Sequence, residues 1–279
     1  MSAKSVLAVH DIACHGRCSL TVILPLISAL GIKTSVLPTA VLSTHTGGYS
    51  RPEISKTNNF VKNTLSHWNR ERVKFDCIYS GYFTEKEEIS VFSSAIDLIK
   101  KENTLLIVDP VLGDNGKIYN GLNGEFSKEM LELCCKADII VPNITEACLL
   151  TDTPCDFDNF SKDKAQEVLK KLYNITKSKI VLTGLSFEEK IANVIFDGQH
   201  FEYVYREKLN CSFHGTGDIF ASVLTAALVL GKDLSEGVNM ASDFVLKCVE
   251  RTIRSKTQVR EGVEFEKEIP YLLKLFKII

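Results

Sequence analysis

The chain has 279 residues, of which 45% are hydrophobic and 24% are charged, proportions typical of a globular protein rather than a disordered one. The 33 Lys and Arg residues nearly balance the 35 Asp and Glu residues, so the net charge of -2 gives no general attraction to nucleic acid or to a membrane surface. The apolar stretches fall far short of the ~20 residues that a membrane span requires. Nine cysteines without a regular spacing argue against a disulfide scaffold, so we expect a cytoplasmic protein with reduced thiols.

Short, apolar and partly β-branched runs alternate with longer amphipathic segments, which predicts parallel strands covered by helices on both faces. The predicted strands are Ser5–Val9, Thr34–Leu37, Cys77–Ser80, Thr104–Val108, Asp138–Val141 and Lys179–Leu182. The predicted helices among them are Leu20–Leu30, Glu85–Lys101, Ser127–Cys135 and Asp163–Tyr173. Gly31 stands where the first of these helices would end, and Ser161 stands where it could cap the last. Strand–helix alternation of this kind indicates an α/β fold with one mainly parallel sheet.

The pattern changes after residue 184. Two β-rich runs, Ile191–Phe196 and His200–Val204, flank an Asp-Gly pair that is typical of a hairpin turn. Two further helices are predicted at Ile219–Leu230 and Ser235–Arg254, and the first is apolar on almost every side, so it should be buried. The polar stretch 51–72 is predicted to contain a solvated helix face. Because no linker, repeat or low-complexity segment divides the chain, residues 1–279 are predicted to form one domain.

The segment Gly215-Thr216-Gly217-Asp218 directly precedes the buried helix. Its two glycines would let a ligand approach the first N–H groups of the helix, which favour an anion such as phosphate. A carboxylate at this position would repel phosphate unless it binds a metal ion or accepts a proton. Phosphoryl transfer to an alcohol needs a base and charge-stabilising amides together. The alternative is that Asp218 caps the helix and the glycines form a turn.

Oxygen-rich side chains follow the predicted strands at the sheet edge where ligands of α/β proteins gather. Carboxylates at adjacent strand ends suit Mg²⁺, which completes its coordination with water and phosphate oxygens. Alternatively, Asp109 is a strand-end turn residue, and Glu146 is a first-turn carboxylate favoured by the helix dipole. The residues concerned are Asp109 and Asp114 after the fourth strand, Asn143 and Glu146 after the fifth, and Thr183 and Gly184 after the sixth.

A cluster of His10, Cys14, His15 and Cys18 in one loop raises the possibility of zinc. It lacks a second cysteine pair of finger spacing, so we reject this interpretation. Neither a Gly-x-Gly-x-x-Gly after the first strand nor a Walker motif is present.

With these motifs the chain resembles the ribokinase-like superfamily and, within it, the vitamin B6 kinases, which phosphorylate pyridoxal, pyridoxine or pyridoxamine. The resemblance extends from about residue 5 to the helix near residue 254. It implies a ribokinase-like three-layer α/β/α fold, with helices on both sides of a mainly parallel central sheet. The matching segments are Gly215–Asp218, Asp109–Asp114, Asn143–Glu146, the loop His10–Ser19 and Ser43–Gly47.

The resemblance implies a role for each matching residue. Asp218 would be the base that deprotonates the 5′-hydroxymethyl group, and the backbone of Gly215, Thr216 and Gly217 would line the anion hole. Asp109 and Glu146 would organise Mg²⁺, in part through water. The residues implied along the phosphates of ATP are Asp114, Asn143, Thr183 and Gly184.

On the substrate side, Asp11 takes the position from which related kinases contact the pyridine ring with a serine, and His45 and Thr46 would help to hold the ring. A carboxylate there favours a protonated ring nitrogen or an amine, so the preferred vitamer stays open. A monovalent cation is also left open, and the resemblance suggests a homodimer. Two other functions stay open, a hydroxymethylpyrimidine kinase of thiamine synthesis and a non-catalytic pyridoxal-binding protein on the same scaffold.

Overall fold

The computed structural model describes residues 3–157 and 160–279. Its strands are β1 Ser5–Ala13, β2 Lys33–Leu42, β3 Ile54–Lys56, β4 Phe75–Ser80, β5 Lys100–Val108, β6 Gly113–Asp114, β7 Lys117–Ile118, β8 Ile139–Ile140, β9 Lys179–Phe187, β10 Lys190–Phe196 and β11 Phe201–Glu207. Its helices are α1 Leu20–Ala29, α2 Asn58–Arg70, α3 Lys86–Ala95, α4 Gly124–Cys134, α5 Ile144–Leu150, α6 Lys162–Thr176, α7 Thr216–Val229, α8 Leu234–Ser255 and α9 Ile269–Leu275.

Within the described residues, nine strands form one sheet in the order β11-β10-β9-β8-β5-β4-β1-β2-β3. The six strands from β9 to β2 in this order are parallel, whereas β10, β11 and β3 pair antiparallel at the two edges. The strands β6 and β7 form a separate short hairpin. Because the parallel strands all end at the same edge of the sheet, the segments that follow them are brought together there.

The helices cover both faces of the sheet and form a hydrophobic core on each. One core takes its apolar side chains from α2 to α6, and the other takes them from α1, α7, α8 and α9. Both faces are therefore dry, which explains why the strands are continuous apolar runs rather than alternating ones. The predicted α/β fold with a mainly parallel sheet and helices on both sides is confirmed.

Local signals set most of the predicted boundaries. Gly31 adopts a φ of +77° and donates from its N–H to the carbonyl oxygen of Ser28, so it ends α1 as expected. The Ser161 hydroxyl accepts a hydrogen bond of 3.1 Å from the N–H of Lys164 and caps α6. The predicted hairpin is β10–β11, and its turn is held by two N–H groups that donate to Asp197 Oδ1.

The prediction of one helix over Glu85–Lys101 is wrong at its C-terminal end. The α-helix stops at Ala95, residues Ile96–Leu98 form a 3₁₀ turn, and β5 begins at Lys100. Ile96 and Ile99 are both fully buried, and their spacing of three residues suits a 3₁₀ turn as well as an α-helix. Periodicity alone therefore could not locate the end of the helix.

Several short elements were not predicted, namely β3, the β6–β7 hairpin and α9. The polar stretch 51–72 contains β3 followed by α2, of which Val61 and Leu65 are buried, so the predicted solvated helix is present. Within the described residues, no helix combines the length and the apolar character needed to cross a membrane.

Candidate active site

The N-terminus of α7 lies at the edge where the parallel strands end. Gly215 precedes the helix with a φ of +85°, and its carbonyl oxygen accepts the N–H of Ile219 at 3.0 Å. A Cβ atom at this position would overlap the carbonyl oxygen of Arg17, so only glycine fits. An added Cβ at Gly217 would instead meet nothing within 4 Å. The first N–H groups of α7 have no acceptor within the helix and are therefore available to an anion.

Asp218 stands in the first turn of α7, but its side chain is held from outside that helix. Its Oδ2 atom accepts a hydrogen bond of 2.9 Å from the N–H of Ser19 and one of 3.3 Å from the thiol of Cys18. Both donors belong to the loop between β1 and α1. Burial raises the pKa of Asp218, and the hydrogen bonds from Ser19 and Cys18 oppose this shift. These contacts disfavour the alternative in which Asp218 is simply a helix cap.

Glu146 and Asn143 form a capping box at the start of α5. The Asn143 side chain accepts the N–H of Glu146 at 3.0 Å, and Glu146 Oε2 accepts the N–H of Asn143 at 2.8 Å. The other oxygen of Glu146 accepts the N–H of Leu112 at 3.1 Å. The alternative in which Glu146 is a carboxylate in the first turn of a helix is therefore confirmed. Any role toward a metal ion is additional to it.

The carboxylates of Asp109, Glu146 and Asp218 lie at this edge of the sheet, and Asp109 feels the negative charge of the other two. Asp109 follows β5 and is fixed by its N–H, which donates to the carbonyl oxygen of Ser80 at 2.8 Å. Burial, together with the negative charges of Glu146 and Asp218, raises the pKa of Asp109 well above its ordinary value. Burial also raises the pKa of Glu146 to about 7. Carboxylates that repel one another in this way are all ionised only if a cation offsets their repulsion. Otherwise one of them keeps a proton.

The residues predicted along ATP continue the same edge. Asn143 donates from Nδ2 to the carbonyl oxygen of Gly113 at 2.8 Å and forms a bridge with Thr183. Gly184 adopts a φ of +76° and donates to Asn193 Oδ1. Asp114 is exposed in β6, where it accepts two hydrogen bonds from Asn115. All four predicted residues thus lie near the acidic group, while their contact with a nucleotide stays a prediction.

Asp11 lies at an irregularity of β1, where the pairing with β2 shifts register between His10 and Ile12. Its side chain is buried. Burial raises the pKa of Asp11 to about 7; a hydrogen bond with Ser19 lowers it, and the charge of Asp218 raises it further. Asp11 and Asp218 are therefore neighbours, so the predicted ring-binding residue stands beside the predicted base.

His45 is held in one orientation in the loop that follows β2. Its Nε2 lies 2.7 Å from the carbonyl oxygen of Arg260, and its Nδ1 accepts the N–H of Gly47 at 3.1 Å. This pattern places the proton on Nε2. The ring of His214, directly before Gly215, lies 4.9 Å from that of His45 and packs over Gly47. The loop thus reaches the N-terminus of α7, and Thr46 is exposed on it.

A segment that sequence reasoning missed closes this side of the site. The carbonyl oxygen of Glu261 accepts the N–H of Arg17, and the carboxylate of Glu261 accepts the hydroxyl of Tyr49 at 3.0 Å. The N–H of Val263 donates to the carbonyl oxygen of His214 at 3.2 Å. The C-terminal part of the chain therefore ties together three loops that are remote in sequence. No local motif signals these contacts.

Two strand residues beneath the carboxylates were also missed. Tyr79 and His10 are fully buried, and within the described residues neither the Tyr79 hydroxyl nor the ring nitrogens of His10 have a hydrogen-bond partner. Burial, then the charges of Asp109 and Asp218, raises the pKa of Tyr79. Burial lowers the pKa of His10 to about 3, so the ring is neutral. Tyr79 therefore offers an unused donor below the acidic group.

The capping box gives a first prediction. Asn143→Ala removes the acceptor for Glu146 and the donor to Gly113, so we expect the free energy of unfolding to fall by about 1–2 kcal/mol. Because Glu146 and the β6 segment lose their anchor, the KM for ATP should also rise. Thermal unfolding and steady-state kinetics measure the two effects.

The matched control is Asn123→Ala, which removes the corresponding cap from α4 at Glu125 and Phe126. It should destabilise the protein similarly and leave the KM for ATP unchanged. Equal kinetic effects in the two variants would contradict the special position of Asn143.

The mainly parallel sheet, the carboxylates at its carboxyl edge and the glycine-rich N-terminus of α7 fit the predicted phosphotransferase of the ribokinase-like class. The chain belongs to the phosphomethylpyrimidine kinase family, whose model matches residues 24–263. The predicted kinase class is thereby confirmed.

Three relatives show how far the likeness extends along the chain. Pyridoxal kinase from Lactobacillus plantarum is 29% identical, with a TM-score of 0.92 over 99% of both chains. A protein from Bacteroides thetaiotaomicron, assigned as a phosphomethylpyrimidine kinase and solved with pyridoxal, is 33% identical, with a TM-score of 0.91 over 97% of this chain and 96% of that one. Pyridoxal kinase from Dictyostelium discoideum is 24% identical over 93% of this chain and 90% of its own.

Proposed function

We propose that the protein uses ATP to phosphorylate the 5′-hydroxymethyl group of a vitamin B6 vitamer, namely pyridoxal, pyridoxine or pyridoxamine. The observation that carries this proposal is the position of Asp218, which combines a carboxylate held by Ser19 and Cys18 with the free N–H groups of α7. The relatives named as pyridoxal kinases, and the homologue solved with pyridoxal, support this choice of acceptor.

Asp218 acts as the general base. Burial raises the pKa of Asp218, and a carboxylate with a raised pKa accepts a proton more effectively than an ordinary aspartate does. As the hydroxyl oxygen attacks the γ-phosphorus atom of ATP, its proton passes to Asp218. The N–H groups of Gly215, Thr216 and Gly217, at the positive end of the α7 dipole, stabilise the charge on the transferring phosphoryl group.

The acidic group fits Mg²⁺. Asp109 and Glu146 are buried carboxylates whose pKa values are raised by burial and by neighbouring acidic groups, and a hard divalent cation would offset that charge. Both oxygens of Glu146 already accept backbone N–H groups, which favours a contact through water. Within the described residues, no group of three His, Cys, Asp or Glu side chains forms a metal cage, so Asp109 and Glu146 would hold Mg²⁺ together with oxygens of water and of the nucleotide phosphates. When bound, Mg²⁺ neutralises charge on the phosphates of ATP.

The nucleotide phosphates lie along Asp114, Asn143, Thr183 and Gly184. The vitamer ring lies toward Asp11, with His45 and Thr46 in the loop that covers it. With a pKa near 7, Asp11 can pair as a carboxylate with a protonated ring nitrogen or as a carboxylic acid with a neutral one. The orientation of His45 is fixed before substrate arrives, which reduces the entropy lost on binding.

We further propose that residues 1–279 act as a single kinase domain, that the enzyme is a homodimer and that it works in the cytoplasm. The single mixed sheet supports one domain, since its strands span residues 5–207 and the C-terminal helices α7, α8 and α9 pack on one of its faces. All nine cysteines are free thiols, which supports a reducing compartment. The homodimer rests on the superfamily resemblance.

A coupled assay of ADP formation tests the proposal, with pyridoxal, pyridoxine, pyridoxamine and hydroxymethylpyrimidine as acceptors and with titrations of Mg²⁺ and of a monovalent salt. The largest kcat/KM should belong to a B6 vitamer. A larger value for hydroxymethylpyrimidine would identify the thiamine-pathway kinase, which the matching family favours by its description. Tight binding of pyridoxal without ADP formation from any acceptor would identify a binding protein.

The pKa shifts predict the pH dependence. Because Asp218 must be ionised and its pKa is raised, kcat/KM should fall as the pH is lowered, with a midpoint above the ordinary aspartate value of about 4. Protonation of Asp109 and Glu146 would act in the same direction. Profiles of kcat/KM from about pH 5 to 9 measure this limb. The fall in kcat/KM reports a group of the enzyme if its midpoint is the same with two acceptors whose own pKa values differ. A midpoint that changes with the acceptor would refute the assignment to Asp218.

A further inference from the structure

The carboxylate of Asp218 is bound asymmetrically. Among the described residues, its hydrogen-bond donors are the N–H of Ser19 and the thiol of Cys18, and both donate to Oδ2. No hydrogen bond to the other oxygen, Oδ1, is found among the described residues, so this oxygen is available to a ligand. A base bound in this way accepts the proton at Oδ1 and not at Oδ2, which its two donors occupy.

The loop that supplies these donors is held in a strained conformation. Ser19 has a φ of +55° and a ψ of -134°, which a residue with a side chain rarely adopts. It is fixed from both sides, because it bridges to Ile12 and its carbonyl oxygen accepts the N–H groups of Val22 and Ile23 at the start of α1. Strain of this kind persists only where the surrounding structure imposes it, and it is concentrated at functional sites. Here it turns the N–H of Ser19 toward Asp218.

We propose that Cys18 is a positioning residue for phosphoryl transfer, whose thiol, with the N–H of Ser19, holds Oδ2 of Asp218 and so directs Oδ1 at the acceptor hydroxyl. The inference rests on the proposed function only in taking Asp218 as the base. It applies to any hydroxymethyl acceptor.

The state of the thiol supports this role. Burial, then the charges of Asp218 and Asp11, raises the pKa of Cys18 well above its ordinary value. The thiol is therefore protonated and can donate, whereas the thiolate that a nucleophile requires is suppressed. A hydrogen bond donated to a carboxylate stabilises its ionised form, so the thiol also limits the rise in the pKa of Asp218 that burial causes.

Two substitutions of Cys18 distinguish the effect of its hydrogen bond to Asp218 from the effect of its side-chain packing. Cys18→Ala and Cys18→Ser both shorten the side chain, but only serine keeps a donor. We expect Cys18→Ala to lower kcat about 10-fold, the lower end for a hydrogen bond to a charged group, and to move the acidic limb of kcat/KM to higher pH. Cys18→Ser should recover most of kcat and move the limb back. The exposed thiol of Cys135, at the C-terminal end of α4, provides the control, since Cys135→Ala should change neither quantity.

The proposal is overturned if Cys18→Ala keeps the wild-type kcat and pH profile, or if the alanine and serine variants are equally impaired with an unmoved limb. If the alanine variant does not fold, infrared spectroscopy tests the contact between Cys18 and Asp218 directly. The measurement is the S–H stretching band in the difference spectrum between the wild type and Asp218→Asn. A thiol bound to the carboxylate shifts that band, and no difference would refute the contact. These kinetics use whichever acceptor the wild type phosphorylates best. A failure of the B6 assignment therefore appears as a different best acceptor, and a wild type without turnover leaves the infrared test in place.

Discussion

Asp218→Asn is expected to lower kcat at least ~100-fold, the lower end for the loss of a general base, while leaving ATP binding largely intact. Asparagine has nearly the same shape, and its Oδ1 can still accept the N–H of Ser19, so the loop between β1 and α1 should keep its place. What is lost is the proton acceptor. Measured kcat with the best acceptor, together with the Kd of a non-hydrolysable ATP analogue, separates the chemical step from binding.

Asp243→Asn is the matched control. It removes the negative charge of a partly exposed side chain on α8, which forms an ion pair with Arg206 of β11. Its kcat should equal that of the wild type. A kcat for Asp218→Asn within a few-fold of the wild type would reject Asp218 as the base, whereas a parallel collapse of kcat and ATP binding would indicate a structural role.

The sequence was most informative where a feature is local. The buried strands were found because both faces of the sheet are covered, which makes each strand a short apolar run. Asp218 was found because a carboxylate beside a predicted phosphate site would repel the phosphate unless it binds a metal ion or accepts a proton. Asp109 and Glu146 followed from the rule that parallel strands end at one edge. Each of these inferences needs only one predicted strand or helix and the few residues next to it.

What could not be predicted depends on contacts between distant segments. The pKa of Asp11 reflects burial and the nearby charge of Asp218, and both require the folded chain. The orientation of His45 depends on the carbonyl oxygen of Arg260, near the other end of the chain. The backbone of Ser19 is strained, and no local pattern indicates such a conformation in a serine. Sequence reasoning therefore located the proposed reacting groups but not the residues that contact and orient them.

In the proposed anion hole, alanine at Gly215 and alanine at Gly217 should change protein stability in opposite directions, but both should lower kcat. Gly215→Ala places a side chain at a φ of +85° and against the carbonyl oxygen of Arg17, whose N–H is itself bound to Glu261. The neighbour cannot withdraw freely, so the free energy of unfolding should fall by at least about 1–3 kcal/mol. For a chain of this size that is a decrease in Tm of several degrees.

The Cβ atom of Gly217→Ala meets no atom within 4 Å, and alanine replaces glycine inside a helix. The free energy of unfolding should therefore stay constant or rise by up to about 1 kcal/mol, and Tm should not fall. Its methyl group nevertheless stands beside the first N–H groups of α7, where the phosphoryl group is proposed to lie. Both variants should therefore lose kcat. Thermal unfolding and steady-state kinetics on the same preparations test the pair. Full activity in Gly217→Ala would show that no phosphate approaches this turn, because the open space at residue 217 is what the anion hole requires.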